Sequence, residues 1–223
     1  MTRSPDNHPL PAYYPIFIDL CAQPCLVAGG GTVARRKIDG LLAAGACVTV
    51  VAPRCDALPP GVILRQRPVT PDDLAGMVFV IAATDDPAVN ASLAQAARAR
   101  GIWVNVVDAP EAGTVILPAV VTRGALRLAI STGGASPVLA QHIRTILDAQ
   151  FGAEYAELVD ILGTLRREWE PKARATGISG AARRRAWEAV LALPLLDLCR
   201  AGDLAGAACA ATAVLEAALA AQE

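Results

Sequence analysis

The sequence predicts an α/β protein with a doubly wound parallel sheet, followed by a hairpin and a helical region. Short apolar runs of four to six residues have the length and continuous hydrophobicity of parallel strands covered on both faces. Longer stretches with helical periodicity separate them, and Gly45 and Gly101 stand where these helices should end. Strands alternating with helices of this length wind into a right-handed sheet. The predicted strands are residues 25–28, 47–52, 78–83 and 102–107, and the predicted helices are residues 32–44 and 87–100.

Weaker signals complete the first half of the chain. Residues 16–20 alternate weakly and predict an extended entry strand, residues 62–65 predict a short strand, and residues 71–74 predict a helical turn. The ligand of a doubly wound sheet lies beyond the carboxyl ends of its strands. We therefore expect one rim built from loops that are distant in sequence, at residues 29–31, 53–54, 84–85 and 105–108.

The pattern changes after Pro110. Residues 115–121 and 126–130 read as the two strands of an antiparallel hairpin, and residues 138–150 read as a helix. The remainder is rich in alanine and leucine and is helical, with breaks predicted near residues 171–180 and at Pro194. We therefore predict a Rossmann-like domain at residues 1–113, a dimerisation segment at 114–150 and a C-terminal helical domain at 151–223.

Composition fits a globular chain and excludes several classes of partner. Hydrophobic residues make up 54% of the chain and the net charge is −1, which argues against a nucleic-acid partner held by bulk electrostatics. Residues 1–15 lack the apolar core of a signal peptide, and charges interrupt the most apolar stretch, residues 190–221. The six cysteines form no C-x-x-C pair and only two histidines are present, so we expect reduced thiols and no metal site. These features predict a cytoplasmic protein without a membrane partner.

Three consecutive glycines end the first predicted strand, and a helix is predicted to begin immediately after them. In a strand–turn–helix segment, Gly29 permits a tight turn and Gly31 lets the backbone approach a pyrophosphate. The first-turn N–H groups of the helix, beginning at Thr32 and Val33, would face the phosphates. The motif predicts a dinucleotide site at Gly29, Gly30, Gly31, Thr32 and Val33, although a tight turn that binds nothing has the same sequence.

Two further rim loops are candidates for contact with the cofactor. An acidic residue is expected on the ribose about 20 residues after the glycines. The second strand is followed instead by Pro53 and Arg54. The residues alone therefore do not decide whether the cofactor is NAD or NADP. Thr84 and Asp85 end the third long strand at the same rim, whereas the neighbouring Asp86 favours a role as a helix cap.

Asp108 is the candidate general base. It ends an apolar strand at the rim, where partial desolvation would suit a carboxylate to proton transfer. The alternative is an aspartate that caps the turn before Pro110. Asn105 would either orient a ligand or satisfy backbone groups. Farther along, a loop with hydroxyls and glycines leads into a helix N-terminus, which is typical of an anion-binding site. Its residues are Ser131, Thr132, Gly133 and Gly134, and Arg123 flanks it.

With these pieces in place, the chain resembles the precorrin-2 dehydrogenase/sirohydrochlorin ferrochelatase family, the amino-terminal part of siroheme synthases. The resemblance rests on stretches in the family's order that cover most of residues 14–188. They are Tyr-Pro-Ile-Phe at 14–17, the glycine motif at 27–37, Ala-Ala-Thr-Asp-Asp at 82–86, Asn-Val-Val-Asp-Ala-Pro at 105–110, Gly-Gly-Ala-Ser-Pro-Val-Leu-Ala at 133–140 and, more weakly, Arg-Arg-Arg-Ala-Trp-Glu at 183–188.

The resemblance implies an oxidoreductase that uses NAD to convert precorrin-2, a tetrapyrrole, into sirohydrochlorin. Some members also insert Fe²⁺ as a second substrate, and whether this chain does so stays open. The family's properties further imply a homodimer. The cofactor site maps to Gly30, Gly31, Thr32, Val33, Pro53 and Arg54, the catalytic carboxylate maps to Asp108, and the predicted substrate-binding set is Asn105, Arg123, Ser131, Thr132, Gly133 and Gly134.

Two points stay open beside this resemblance. Family members commonly carry two serines before the paired glycines, and this chain keeps the hydroxyl with threonine at the second position, Thr132. The glycine motif also fits a non-enzymatic NAD(H)-sensing dimeric module, which has no use for Asp108. Release of NADH on addition of precorrin-2 separates the enzyme from the sensor.

Overall fold

The structure, a computed structural model, describes residues 13–221, which form two compact units. The first unit contains residues 13–117 together with Gly133–Ser136. The second contains Pro118–Thr132 together with residues 137–221. Within the described residues, no helix is long and apolar enough to cross a membrane.

Strands and helices alternate in the first unit as the sequence predicts. For the five strands, the two helices and the 3₁₀ turn at Pro71–Leu74 named below, each bound falls within one residue of the predicted one, so these elements are confirmed. The strands are β1 (Pro24–Ala28), β2 (Cys47–Val51), β3 (Ile63–Arg65), β4 (Phe79–Ala82) and β5 (Trp103–Val106). The helices are α1 (Thr32–Ala43) and α2 (Pro87–Ala99), and 3₁₀ turns lie at Pro71–Leu74 and Pro110–Ala112.

The five strands form one parallel sheet in the order β3-β2-β1-β4-β5. Alternate residues enter opposite faces. On one face, Cys25 and Val27 pack with Ile38 of α1, and on the other, Leu26 packs with Leu93 of α2. Because each face is covered by a helix, the strands are apolar at nearly every position, which explains their continuous runs in the sequence. The predicted doubly wound α/β fold is confirmed.

The second unit contains the hairpin and the remaining helices. Strands β6 (Ala119–Arg123) and β7 (Leu126–Ile130) pair antiparallel. The core of the helical part centres on Trp169, whose indole donates to the Leu215 carbonyl at 2.8 Å and packs edge-on against Trp187. The helices are α3 (Pro137–Gln150), α4 (Glu154–Ala175), α5 (Gly180–Leu191), α6 (Leu195–Arg200) and α7 (Leu204–Ala220).

Two of the predicted strand positions are wrong. Residues 16–20 form no strand, since β1 already pairs on both sides with β2 and β4, and Phe17 remains 74% exposed. The hairpin begins at Ala119 instead of residue 115, because the amides of Thr114 and Val115 donate to the Val104 carbonyl. That short segment runs beside β5 and covers the edge of the sheet.

The break predicted at residues 171–180 begins later than Pro171. Helix α4 continues through this proline to Ala175, and the chain leaves the helix at residues 176–179, where Gly177 adopts a φ of +77°. The buried side chains Trp169 and Ala173 bracket the proline and hold that turn against the core. The break at Pro194 is confirmed.

The three-part division at 1–113, 114–150 and 151–223 stays a prediction. The structure groups the hairpin and α3 with the C-terminal helices, and places Gly133–Ser136 with the sheet.

A buried carboxylate secures the edge of the sheet. Asp73, in the 3₁₀ turn before β4, accepts bonds of 2.9 Å from Arg65, at the end of β3, and of 2.6 and 2.8 Å from Arg67. The Thr70 amide donates to the same carboxylate at 3.0 Å and completes a capping box. The Arg67 guanidinium, with help from Thr70 and Arg65, holds the pKa of Asp73 well below its usual range, although burial acts in the opposite direction.

We predict that Asp73→Asn lowers the free energy of unfolding at neutral pH by about 2–3 kcal/mol, because a buried, charge-assisted network loses its anion. Since folding lowers the pKa of Asp73, its contribution is complete above the unfolded value of about 3.9 and is lost as the pH falls below it. Urea unfolding curves of wild type and variant should therefore differ equally from about pH 8 to 5 and converge below about pH 4.

The neighbouring Asp72 gives the matched control, because it is exposed in the same 3₁₀ turn. Asp72→Asn should change the free energy of unfolding by no more than about 0.5 kcal/mol. Equal stability of the two variants would contradict a structural role for Asp73.

Candidate functional site at the carboxyl edge of the sheet

The glycine turn is packed against the two neighbouring loops. Gly29 has a φ of +120°, and a Cβ built on it would collide with the Ala83 carbonyl after β4. A Cβ at Gly30 would collide with the Arg54 carbonyl and with the Cα of Cys55, 2.8 Å away, after β2. Only residues without a side chain let these three backbones meet. The loops after β1, β2 and β4 thus form one continuous rim.

Gly31 differs from the other two glycines because it faces open space. In the described part of the chain, no atom lies within 4 Å of a Cβ built at Gly31, which is the N-cap residue of α1 with a φ of −82°. None of the side chains described between residues 13 and 221 caps this helix, and its first turn contains no acidic residue. Thr32 and Val33 follow on the exposed surface. A helix start with open amides and no competing anion fits a diphosphate, so the glycine turn passes this test for a dinucleotide.

The loop after β2 is fixed beside the glycine turn, with Pro53 and Arg54 exposed. The Arg35 guanidinium, from the first turns of α1, donates to the Ala57 carbonyl and pairs with Asp39 at 3.3 Å. A cleft runs between α1 and this loop. It is lined by Gly30, Thr32, Arg35, Ile38, Cys55, Asp56, Ala57 and Leu58.

The loop after β4 is held by a residue that the sequence interpretation missed. The Asn90 side chain accepts from the Thr84 amide at 3.1 Å and donates to the Thr84 carbonyl at 2.9 Å, and the Thr84 hydroxyl lies 2.7 Å from Asn90 Oδ1. Asp86 accepts from two amides of the first turn of α2, which confirms it as a helix cap. Asp85 is exposed and lies between them.

The signal for Asn90 is visible in the sequence. Asn90 stands in phase with Leu93, Ala94 and Ala97 on the buried stripe of α2. A polar residue in an apolar stripe indicates a buried hydrogen-bonding role.

Asp108 lies in the turn after β5 and is exposed, with a φ of +62°. The expectation of a partly desolvated carboxylate is therefore wrong for the chain alone. The next turn is fastened by Arg98 of α2, which donates to the carbonyls of Glu111, Ala112 and Gly113 at 3.0, 3.1 and 2.6 Å. The left-handed backbone at Asp108 thus sits between a strand and an anchored turn.

Strand register places Asp108 and the glycine turn on the same edge. Ala28 of β1 is opposite Ala82 of β4, and Ala82 is opposite Val106 of β5. The loops that follow therefore start level with one another, and two strand spacings of about 4.8 Å separate the first from the last. The glycine turn and the Asp108 turn therefore begin about 10 Å apart along this edge of the sheet.

The predicted substrate-binding residues are distributed over both units. Asn105, Gly133 and Gly134 belong to the first unit, whereas Ser131 and Thr132 belong to the second. Asn105 is buried, and its amide donates to the Val115 carbonyl at 3.1 Å, so it satisfies a backbone group. Gly133 and Gly134 both have positive φ, at +65° and +92°.

Arg123, in the second unit, has a different role from the predicted one. Its guanidinium donates to the Phe151 carbonyl at 2.7 Å and to both the carbonyl and the carboxylate of Asp148, at 2.8 and 3.0 Å. These bonds secure the carboxyl end of α3, where carbonyls lack helical partners. A pairing of Arg123 with substrate carboxylates is not supported by this arrangement.

Two further observations concern metal-binding groups and the thiol of Cys25. Between residues 13 and 221, no group of three or more His, Cys, Asp or Glu side chains could hold a metal ion. Burial, with a smaller effect of Cys47, raises the pKa of the Cys25 thiol to about 11, which makes that thiol unreactive near neutral pH.

Two family models match parts of this chain. A family model described as "Putative NAD(P)-binding" matches residues 16–119, which include the whole sheet. A second model, described as "Sirohaem biosynthesis protein central", matches residues 123–150.

Curated relatives and a solved structure point to the same family. The siroheme synthases of Methylococcus capsulatus and Chromobacterium violaceum are each 43% identical, over 85% and 87% of this chain. The chain spans about two fifths of their length, 40% and 42%. The solved structure of SirC, a precorrin-2 dehydrogenase, is 30% identical and superposes with a TM-score of 0.63 over 80% of this chain and 89% of its own. The chain belongs to the family of precorrin-2 dehydrogenases and the corresponding part of siroheme synthases.

Proposed function

We propose that this protein oxidises precorrin-2 to sirohydrochlorin in siroheme biosynthesis, with NAD⁺ as the oxidant. The observation that supports this most directly is the shared edge of the sheet, where the glycine turn after β1 and the Asp108 turn after β5 begin level with each other, about 10 Å apart. The similarity to a precorrin-2 dehydrogenase over 89% of that protein's chain supports the reaction class.

The cofactor would be held mainly by backbone. The open amides at the start of α1, beginning with Thr32 and Val33, would bind the diphosphate, and Gly31 leaves the room that the phosphates require. Pro53 and Arg54 would flank the adenosine end, and Thr84 and Asp85 would border the cofactor between the two loops. When bound, the nicotinamide accepts a hydride from a ring carbon of the substrate.

Asp108 would take the proton that must leave when the ring is oxidised. Dehydrogenation removes a hydride and a proton, and Asp108 is the carboxylate of the β5 turn that faces this edge. Because Asp108 is exposed in the chain alone, the proton would pass to water once the product has left. Asn105 would contribute indirectly, because its side-chain amide donates to the Val115 carbonyl and holds that backbone beside β5.

The substrate carries several carboxylates, and its recognition would fall to the loop at residues 131–134. Ser131 and Thr132 supply hydroxyls, and Gly133 and Gly134 supply amides in left-handed backbone that can turn toward an anion. Arg123 is not part of this proposal, because its guanidinium is committed to the end of α3.

We also propose a homodimer in the cytoplasm. Val138 and Ile146 of α3 are 80% and 52% exposed, more than a stable apolar helix face normally leaves to water. All six cysteines are free thiols, as expected in a reducing compartment.

An anaerobic assay tests the reaction against the sensing alternative. Precorrin-2 and NAD⁺ are mixed with the protein, and NADH and sirohydrochlorin are followed by absorbance. An enzyme releases NADH with sirohydrochlorin, whereas a sensing module binds NAD(H) and releases none. Addition of Fe²⁺ to the same assay tests ferrochelation. Ferrochelation would appear as siroheme absorbance that forms faster than in a control without protein.

We predict that Asp108→Asn lowers kcat by about 10²- to 10⁴-fold, the usual effect of removing a general base. The dissociation constant for NAD⁺ should stay within about twofold, since the cradle is built elsewhere. Asparagine is the suitable replacement because it tolerates the left-handed backbone at this position. Turnover and equilibrium binding are measured separately.

Glu111→Gln is the matched control, because it neutralises an exposed carboxylate three residues away in the same anchored segment. It should change kcat by no more than about twofold. Near-normal turnover by Asp108→Asn would remove Asp108 from the role of base.

We predict that Gly31→Ala weakens NAD⁺ binding about 10- to 100-fold, because a Cβ in the cradle separates the diphosphate from the amides. Its thermal stability should be unchanged, since φ is −82° and the built Cβ meets no atom within 4 Å. Gly40→Ala, a second open position in α1, is the control and should bind NAD⁺ normally. Equal NAD⁺ affinity of the two variants would argue against a phosphate at the start of α1.

We predict that Ile146→Asp converts the dimer into monomers, measured by sedimentation velocity over a range of concentrations. Ile63→Asp is the control, since Ile63 is similarly exposed, at 59%, but lies on the edge strand β3 of the first unit. A wild-type protein that stays monomeric at every concentration would overturn the dimer.

A further inference from the structure

The adenosine end of the cofactor site lacks the group that normally rejects a 2′-phosphate. In NAD sites of this fold, a carboxylate at the end of the second strand bonds the ribose 2′-hydroxyl and repels the phosphate of NADP. Here β2 ends at Val51 and is followed by Ala52, Pro53 and Arg54, so a cation stands near the usual position of the acid.

Arg54 is held in place by its backbone while its side chain is free to bind. Its carbonyl abuts Gly30 so closely that a Cβ there would collide with it. Farther along the loop, Arg35 of α1 fixes the Ala57 carbonyl. Among residues 13–221, the Arg54 guanidinium makes no hydrogen bond or ion pair, and the residue is exposed. The backbone position of Arg54 is therefore fixed, and its positive charge is unpaired within the described residues.

The other cations of this corner are already paired. Arg65, opposite Val51 in the sheet, and Arg67 both bind Asp73. Arg35 pairs with Asp39. Asp56, two residues after Arg54, is exposed and is the acid that could oppose a phosphate here. Arg54 directly precedes Cys55, which lines the cleft between α1 and this loop together with Asp56. Among residues 13–221, its positive charge has no partner.

We propose that Arg54 receives the 2′-phosphate of the adenosine ribose, so that the site binds NADP⁺ as well as NAD⁺. This inference rests on the proposed dinucleotide site and extends it to the choice of cofactor. A planar guanidinium suits a phosphate because it can donate two parallel hydrogen bonds. The 2′-hydroxyl of NAD⁺ carries no charge, so NAD⁺ gains less from Arg54 than NADP⁺ does.

Equilibrium titrations of the whole chain with NAD⁺ and NADP⁺ test the proposal without any turnover. For the wild type we expect the two dissociation constants to agree within about tenfold. Arg54→Ala should weaken the binding of NADP⁺ at least about 10-fold more than it weakens the binding of NAD⁺. Higher salt should weaken wild-type binding of NADP⁺ more than that of NAD⁺, and Arg54→Ala should remove this difference.

Two control variants make the outcome specific. Arg36→Ala removes another exposed arginine, from α1, and should change neither affinity. Asp56→Asn should not weaken NAD⁺; a selective loss of NAD⁺ would show that Asp56 is the ribose acid and overturn the proposal. It is equally overturned if the wild type binds NADP⁺ over about a hundredfold more weakly than NAD⁺, or if Arg54→Ala weakens both alike. If neither cofactor binds, the proposed dinucleotide site itself fails.

Discussion

The close approach of three backbones at the glycine turn is the constraint on which the site depends. At Gly29 and Gly30, the carbonyls of Ala83 and Arg54 occupy the volume that any side chain would need. This contact joins the ends of β1, β2 and β4 without a single side chain between them. A cofactor that crosses these loops therefore meets a surface whose shape is set by main-chain geometry.

The loops at the carboxyl ends of the strands have a second feature in common. In each, a side chain from a neighbouring helix hydrogen-bonds to the backbone of the loop. Arg35 of α1 binds the carbonyl of Ala57, Asn90 of α2 binds the amide and carbonyl of Thr84, and Arg98 of α2 binds the carbonyls that follow Asp108. Each helix packs on the sheet by its apolar stripe and uses a polar residue to hold a loop. The same packing that builds the core thus positions the rim.

The sheet was predictable because burial on both faces leaves a continuous apolar run, and the helices because their apolar stripe ends at a glycine. The prediction of an entry strand at residues 16–20 was wrong because weak alternation, as at Ile16 and Phe17, does not reveal whether a partner strand has a free edge. Asn90 could have been found as a polar interruption of an apolar stripe. Arg98 and Arg123 could not, because their partners are carbonyls 13 to 28 residues away, and carbonyls are present at every residue.

The exposure of Asp108 changes how its chemistry must be understood. A solvated aspartate is a weak base, and a general base becomes effective when water is removed from it. The protein leaves that carboxylate in water but fixes its backbone in a left-handed turn between β5 and the segment that Arg98 anchors. In the proposed reaction, a flat macrocycle laid over this edge of the sheet would cover the carboxylate and remove water from it. In that proposal the free protein supplies the position of the carboxylate, and the bound substrate supplies the desolvation.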